Sequence, residues 1–288
     1  MKIKAFSKIN LGLEVLKKRD DGYHDIRTLF QSISLHDLLD FEISSSGLIR
    51  IKGSDPTISW GEDNLVYRAA YIMKQQSTTN KKIEISVEKK IPAGAGLGGG
   101  SSDAAVTLLV LNKLLGLNLR KEELMEFGRG LGADVPYFLQ GGLCIGTGKG
   151  DQISLADEIS KHFCVLVQEG TPVSTESVYK SFFRSLTSRD KDSKIIEFLN
   201  TRSLGELEND LEETVFKLHP QIKEVKSLVR ETDPVLTLVS GTGSVVFGIF
   251  RKKDKAKAAL ENIKKVYPAV FAETLNREEY WSRLMHGV

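Results

Sequence analysis

The segment Pro92-Ala93-Gly94-Ala95-Gly96-Leu97-Gly98-Gly99-Gly100-Ser101-Ser102-Asp103 constrains the chain more than any other stretch. Glycine has no Cβ, so a backbone this rich in it can adopt positive φ and turn successive N–H groups toward one point. Upstream, Lys82–Ile91 alternates Ile83, Ile85 and Val87 with polar partners, the pattern of a half-buried strand that Pro92 ends. Downstream from Ser101, Ala104, Ala105, Leu108, Leu109, Leu111, Leu114 and Leu115 carry helical spacing. Strand, glycine run, hydroxyl pair and helix follow one another directly. That order sets unpaired N–H groups and the positive end of a helix dipole at one spot, which is a phosphate site.

The kind of phosphate turn follows by elimination. A P-loop requires G-x-x-x-x-G-K-[ST], and Gly148-Lys149 is followed by Gly150 without the upstream glycine. Gly94-x-Gly96-x-x-Gly99 matches the dinucleotide fingerprint in form. That fingerprint needs a second parallel strand after the helix, with an acidic residue about 20 residues on. Here a second helix, Lys121–Leu131, follows the first at once. The Rossmann reading fails on context.

The rest of the chain reads as α+β. Residues 2–17 form an apolar strand closed by the Asp20-Asp21-Gly22 turn, and Thr28–Leu35 and Leu38–Ile43 read as two more strands. Leu65–Gln75 is helical, with Asp63 or Asn64 as N-cap. Val135–Leu139 and Gly141–Thr147 read as strand or turn. Beyond residue 157 the rhythm changes. Phe163–Gln168 is a strand, Ser174–Leu186 a helix, Arg184–Lys194 a polar connection, and helices fill 194–230. Val235–Val239, the turn Ser240-Gly241-Thr242-Gly243, Val245–Phe250, a helix over Lys255–Lys265 and a strand over Ala269–Thr274 complete it. This half reads β-α-β-β-α-β, the split βαβ pattern of ferredoxin-like domains. The 288 residues, against roughly 150 per domain, then divide into 1–157 and 158–288.

Forty Lys and Arg against 38 Asp and Glu leave a charge of +2, so no global field favours nucleic acid or anionic lipid. The apolar stretch Ala104–Leu111 falls far short of the ~20 residues that cross a bilayer. Lys8, Asn10, Gly12 and Glu14 interrupt any signal-peptide core. Cys144 and Cys164 lack zinc spacing and read as buried small hydrophobes, while His36, His162, His219 and His286 are scattered and build no metal site. A cytoplasmic protein, monomer or homodimer, with a small-molecule substrate is the expectation.

At this point the residues resemble a known family. Pro92–Ala105 is similar to the central phosphate motif of the GHMP small-molecule kinases, and Ala5-Phe6-Ser7-Lys8-Ile9-Asn10-Leu11 and Val239-Ser240-Gly241-Thr242-Gly243-Ser244 resemble its flanking motifs. Gly22-Tyr23-His24, Thr28-Leu29-Phe30-Gln31 and Leu131-Gly132-Ala133-Asp134-Val135-Pro136 resemble the branch that acts on a cytidine-diphosphate-linked methylerythritol in non-mevalonate isoprenoid synthesis.

The resemblance implies ATP as donor and Mg²⁺ as bridging ion, with Pro92 to Ser102 around the ATP phosphates. Magnesium keeps most of its waters, so no carboxylate cage is expected. Ser101 and Ser102 are candidate hydroxyls near the metal, or else helix caps. Read alone, Asp134 is a turn former and Lys8 a solvated strand lysine. The resemblance makes Asp134 the catalytic aspartate and Lys8 its partner, offsetting charge on the transferring phosphoryl group. For the acceptor it implies Tyr23 and Tyr179 on the two faces of cytosine, with His24 at its edge and Phe30 lining the slot or packing in the core. Asn10, on the same strand face as Lys8, reaches the erythritol hydroxyls. Thr175, Gly241 and Thr242 complete the substrate set, and Lys89 or Lys90 meets phosphate. A kinase of mevalonate or homoserine type and a non-catalytic nucleotide-binding module are the alternatives.

Overall fold

The computed structural model describes residues 1–45, 47–78, 80–182 and 193–286. The first half holds β1 (Lys2–Lys18), β2 (His24–Ser44), β3 (Ile49–Gly53), α1 (Leu65–Gln75), β4 (Lys82–Glu88), α2 (Gly99–Leu114), α3 (Lys121–Leu131), α4 (Val135–Phe138), β5 (Leu143–Thr147) and β6 (Gln152–Leu155). The second holds β7 (Phe163–Val167), α5 (Thr175–Ser181), α6 (Lys194–Thr201), α7 (Glu212–Leu218), α8 (Pro220–Arg230), β8 (Leu236–Val239), β9 (Val246–Phe250), α9 (Lys253–Ile263), β10 (Ala269–Glu273) and α10 (Arg277–Met285).

The first sheet runs β3-β4-β2-β5-β6, with β1 also paired to β2. The two strands expected over Thr28–Leu35 and Leu38–Ile43 are one, and a register shift opposite Phe6/Ser7 absorbs the break in the apolar pattern. Helices α1 and α2 cover one face, packing Ala69, Met73, Ala105 and Leu108 over Phe41, Ile83 and Ile85. The second sheet is antiparallel with order β10-β7-β9-β8, the arrangement the split βαβ pattern requires. Among the described residues no helix is long and apolar enough to cross a membrane.

Several elements differ from expectation. Val135–Phe138 is a short helix, because Pro136 in its first turn has φ already set and needs no N–H partner there. Helix α2 begins at Gly99, two residues before Ser101. Strands β3 and β6 were not anticipated, and neither was α10, although Asn276 and Glu279 form its capping box. Of the helix expected over Ser174–Leu186, Thr175–Ser181 is observed, with Ser174 as its N-cap and Phe182 already extended; residues 183–186 and most of the polar connection lie outside the described residues.

A boundary at 157/158 falls between the two sheets, but the chain end crosses back. Tyr280 of α10 packs on Phe6, and its hydroxyl donates to the Phe138 carbonyl at 2.7 Å. A second apolar cluster joins the halves, bringing Ile9, Leu11 and Leu97 against Leu238, Val245 and Phe247.

Candidate active site

Between the halves lies a cleft of about 1260 Å³, lined by residues from β1, β2, the glycine turn, Gly130–Asp134 and the Gly241-Thr242 turn. Strand β1 sets its floor. Residues Ala5 to Val15 are buried on both strand faces, so Lys8 and Asn10 sit on one face without solvent. Lys8 is only 4% exposed at its side chain, and its Nζ stands 3.5 Å from Asp134 Oδ2. The same Nζ donates to Asn10 Oδ1 at 2.6 Å and lies 5.4 Å from the Phe30 ring centroid. Asn10 Nδ2 donates to Thr28 Oγ1 at 2.7 Å, and Thr28 in turn donates to the Gly12 carbonyl. Burial pulls the Lys8 pKa below its ordinary value, and the Asp134 carboxylate opposes that pull. Asp134 lies in the turn that the Val135 N–H closes on the Gly132 carbonyl at 3.1 Å and occupies the N-cap position of α4, so the local turn reading holds, yet its side chain makes no capping bond. Its carboxylate turns to Lys8 instead.

The glycine turn is pinned from both sides. Leu97 is buried, and its carbonyl accepts the Lys8 N–H at 3.0 Å. Ser240 Oγ donates to the Gly96 carbonyl at 2.8 Å. A Cβ on Gly96 would stand 1.9 Å from the Ser240 carbonyl oxygen, so this glycine exists for the approach of the second half. Gly98, at φ +72°, is the N-cap of α2 and makes no side-chain cap. Neither serine caps this helix. Ser101 faces the cleft, whereas Ser102 is buried and donates to the Phe6 carbonyl at 2.6 Å. Ser102 and Leu97 are therefore the members of the expected ATP set that the structure does not bring to the cleft.

The two lysines before the turn are both engaged. Lys90 is exposed and pairs with Glu88 at 3.0 Å. Lys89 lines the cleft but is held by Asp37 and by Asp103, the latter at 2.8 Å. Asp37 also accepts the backbone N–H groups of Lys90 and Ile91. Burial pushes the Asp103 carboxyl up to about 7, with Lys89 opposing and Asp37 adding to the shift, and its Oδ1 has no hydrogen-bond partner. Lys89 thus serves two carboxylates before any phosphate.

At the far end, His24 and Tyr179 stack on each other with ring centroids 5.4 Å apart, in place of a slot with a tyrosine on each face. Burial and the nearby Lys18 lower the His24 pKa, and its Nδ1 is buried without a partner. Tyr23 is 60% exposed and carries the Lys149 ammonium 4.0 Å from its ring centroid. Phe30 is buried in the core, tilted against Tyr137 with the Lys8 ammonium over its ring, and it also lines the cleft. Thr175 and Thr242 hydrogen-bond each other at 3.0 Å across the cleft wall. Sequence reasoning missed the apolar part of the lining made by Ile58, Trp60 and Leu65. Trp60 lies on the Gly53 backbone and donates to the Asp55 carbonyl at 3.0 Å. Its only signal was a tryptophan in a loop after an unrecognised strand. Lys149 was also missed, its Gly-Lys-Gly run having served only to exclude a P-loop.

Comparison with known proteins assigns the chain to a family. The model of the GHMP kinases N terminal domain matches residues 64–142, and that of the GHMP kinases C terminal domain matches residues 195–269. The chain belongs to the GHMP kinases and is a small-molecule kinase using ATP. Within them it belongs to the family of the 4-diphosphocytidyl-2-C-methyl-D-erythritol kinases. It is 42% identical over 260 residues to the one from Syntrophus aciditrophicus, covering 90% of this chain and 93% of that protein. It is 37% identical to the one from Caldicellulosiruptor saccharolyticus, over 98% of this chain and 99% of that protein. A crystal structure of 4-(cytidine 5'-diphospho)-2C-methyl-D-erythritol kinase superposes with a TM-score of 0.81 at 35% identity, over 95% of this chain and 99% of that one. Homoserine kinase from Cytophaga hutchinsonii, at TM-score 0.74 and 17% identity, shares the fold.

Proposed function

We propose that this kinase transfers the γ-phosphoryl group of ATP to the 2-hydroxyl of 4-diphosphocytidyl-2-C-methyl-D-erythritol, with Lys8 and Asp134 at the reacting centre. The observation that carries the reading is the buried Lys8 ammonium beside Asp134, between a phosphate turn and an aromatic end of one cleft. Phosphoryl transfer asks the protein for alignment and charge stabilisation rather than covalent work. The N–H groups of the turn hold the ATP phosphates, and the apolar lining at Trp60 receives the adenine. Asp134 accepts a hydrogen bond from the acceptor hydroxyl and aims its oxygen in line with the γ-phosphorus. A carboxylate is a weak base toward an alcohol, so Asp134 first aligns the hydroxyl and takes its proton late in the transfer. Lys8, held by Asn10, offsets the charge that spreads over the transferring group.

Ser101, an oxygen donor open to the cleft, fits a Mg²⁺ held otherwise by phosphate oxygens and water, and no cluster of three or more acidic, His or Cys ligands exists among the described residues. When bound, the ion supplies further neutralisation of the phosphates. Tyr23 stacks on cytosine, and the buried Nδ1 of His24 bonds its edge once Tyr179 yields its place to the base. The test is ATP consumption with the cytidine-diphosphate acceptor beside mevalonate, homoserine and no acceptor. Turnover confined to the first supports the reading. Equal turnover on mevalonate or homoserine, or none with any acceptor, overturns it.

A further inference from the structure

A base-stacking residue that is 60% exposed needs something to fix its ring, and Tyr23 has little else around it. Its backbone is tied: the N–H donates to Asp21 Oδ1 at 3.1 Å, and the carbonyl accepts the Arg19 N–H at 2.8 Å. The ring itself meets Lys149, whose Nζ stands 4.0 Å from the centroid. That same Nζ pairs with Asp21 Oδ2 at 2.9 Å. One carboxylate therefore holds the Tyr23 backbone with one oxygen and the cation on the Tyr23 ring with the other. Lys149 is set in turn by the tight link between β5 and β6, where its N–H donates to Asp151 Oδ1 at 3.1 Å and the Gly148 carbonyl accepts the Ile26 N–H at 2.8 Å. Both Lys149 and Asp151 line the cleft.

We propose that Lys149 is a positioning residue of the acceptor site, clamping the Tyr23 ring through its ammonium while Asp21 fixes the ammonium. The inference rests on the reading of Tyr23 as the cytosine platform. An ammonium over one face of the ring leaves the other face for the base, and cation–π attraction holds the ring against rotation. A partly exposed ion pair of this kind does little for the stability of the fold. Its use is to order an aromatic side chain before the substrate arrives, so that binding does not have to.

The experiment is calorimetric titration with CDP and with cytidine, and steady-state kinetics with the full acceptor. It compares wild type, Lys149→Ala, Lys149→Arg, Tyr23→Leu and the double variant Tyr23→Leu/Lys149→Ala. Ordering one aromatic side chain predicts that Lys149→Ala weakens CDP and cytidine by the same factor, about three- to tenfold. Acceptor KM rises alike, while kcat and ATP KM stay within about twofold of wild type, the split expected when binding and not the transition state is affected. Lys149→Arg restores affinity, and in the Tyr23→Leu background Lys149→Ala adds nothing further. A loss confined to CDP makes Lys149 a direct diphosphate contact and overturns the inference, as does an undiminished loss in the Tyr23→Leu background. If wild type binds CDP and Lys149→Ala binds it as tightly, this inference alone falls. If wild type binds neither CDP nor cytidine, the acceptor reading falls and takes this one with it.

Discussion

Lys8 is a lysine that its own surroundings discourage from being charged. Burial lowers its pKa, and Asp134, 3.5 Å away, opposes this; Asn10 Oδ1 accepts from the same Nζ at 2.6 Å and fixes its position. Asp134→Asn keeps the size and one acceptor oxygen but removes the charge and the ability to take a proton. We expect kcat to fall by about 10²–10⁴, the usual share of a positioned general base. ATP affinity should hold or improve, because a negative charge near the γ-phosphate is gone. A folded Asn variant keeping more than a tenth of wild-type kcat, with chemistry shown by single turnover to limit the rate, would remove Asp134 from the mechanism. Asp103 makes a second prediction at this scale. Its carboxyl titrates at about 7 in the folded protein against an ordinary 3.8, so the native state holds a proton that the unfolded chain has released. Its contribution is present below the unfolded pKa and is lost as pH rises through the folded one. Stability should fall between pH ~4 and ~7, and Asp103→Asn should remove on the order of 1–3 kcal/mol of that fall. Urea melts at pH 5 and 8 decide it: equal pH dependence in both proteins would mean that the carboxyl is charged throughout. Neither residue was legible from local pattern. A lysine in a strand reads as solvated unless both strand faces are known to be covered, and that is a tertiary fact.

The glycine turn is the element most legible in advance, because strand, glycine run and helix are all local signals. What local signals left out is that its glycines serve different neighbours. The Cβ of a residue at Gly98 would point at the Phe138 ring, 2.8 Å from Cζ, and at Lys8 Cε at 3.3 Å, rather than toward phosphate. The φ of +72° is unfavourable for any replacement. Gly98→Val should therefore lower kcat by displacing Lys8 and Phe138, and destabilise the protein by ~1–3 kcal/mol through overpacking and strain. Loss of ATP affinity alone, with kcat at saturating ATP and the melting curve unchanged, would put the Cβ on the phosphate side after all. Elements escaped the sequence for physical reasons too. Strands β3 and β6 do alternate apolar and polar residues, as Ile49-Arg50-Ile51-Lys52 and Gln152-Ile153-Ser154-Leu155, but over the shortest run that marks a strand, and neither is deeply buried. Helix α4 is a single turn, too short for helical periodicity to register. The Cys144 and Cys164 readings needed only composition, and burial indeed raises both thiol pKa values, Cys144 to about 11. A thiol reagent at pH 8 should leave both unmodified in the native protein, and rapid labelling would contradict their burial.

The whole molecule holds Asp134 from an unexpected direction. Asp134 opens α4, and α4 is a single turn that cannot stand by itself. Its last residue, Phe138, receives the Tyr280 hydroxyl from α10, whose chain has already passed through the second sheet. Tyr280 is fully buried, packs against Phe6 and Trp281, and lies so close to Gly141 that a Cβ there would stand 2.2 Å from its ring. Apolar patterning could not reveal this contact, because α10 is polar apart from Tyr280, Trp281, Leu284 and Met285, and helix amphipathicity names no partner. Two substitutions separate its contributions. Tyr280→Phe keeps the packing and leaves the Phe138 carbonyl without this donor, which should cost about 1 kcal/mol. Tyr280→Ala also opens a cavity and should cost ~3–5 kcal/mol, as for other buried aromatics. Both should lower kcat more than they raise the ATP KM, because the group they loosen is Asp134 rather than the phosphate turn. Denaturation together with kinetics at saturating substrates checks this. If Tyr280→Ala loses stability but keeps wild-type kcat below its melting range, α4 does not depend on α10, and the crossing of the chain end back onto the first sheet serves the fold alone.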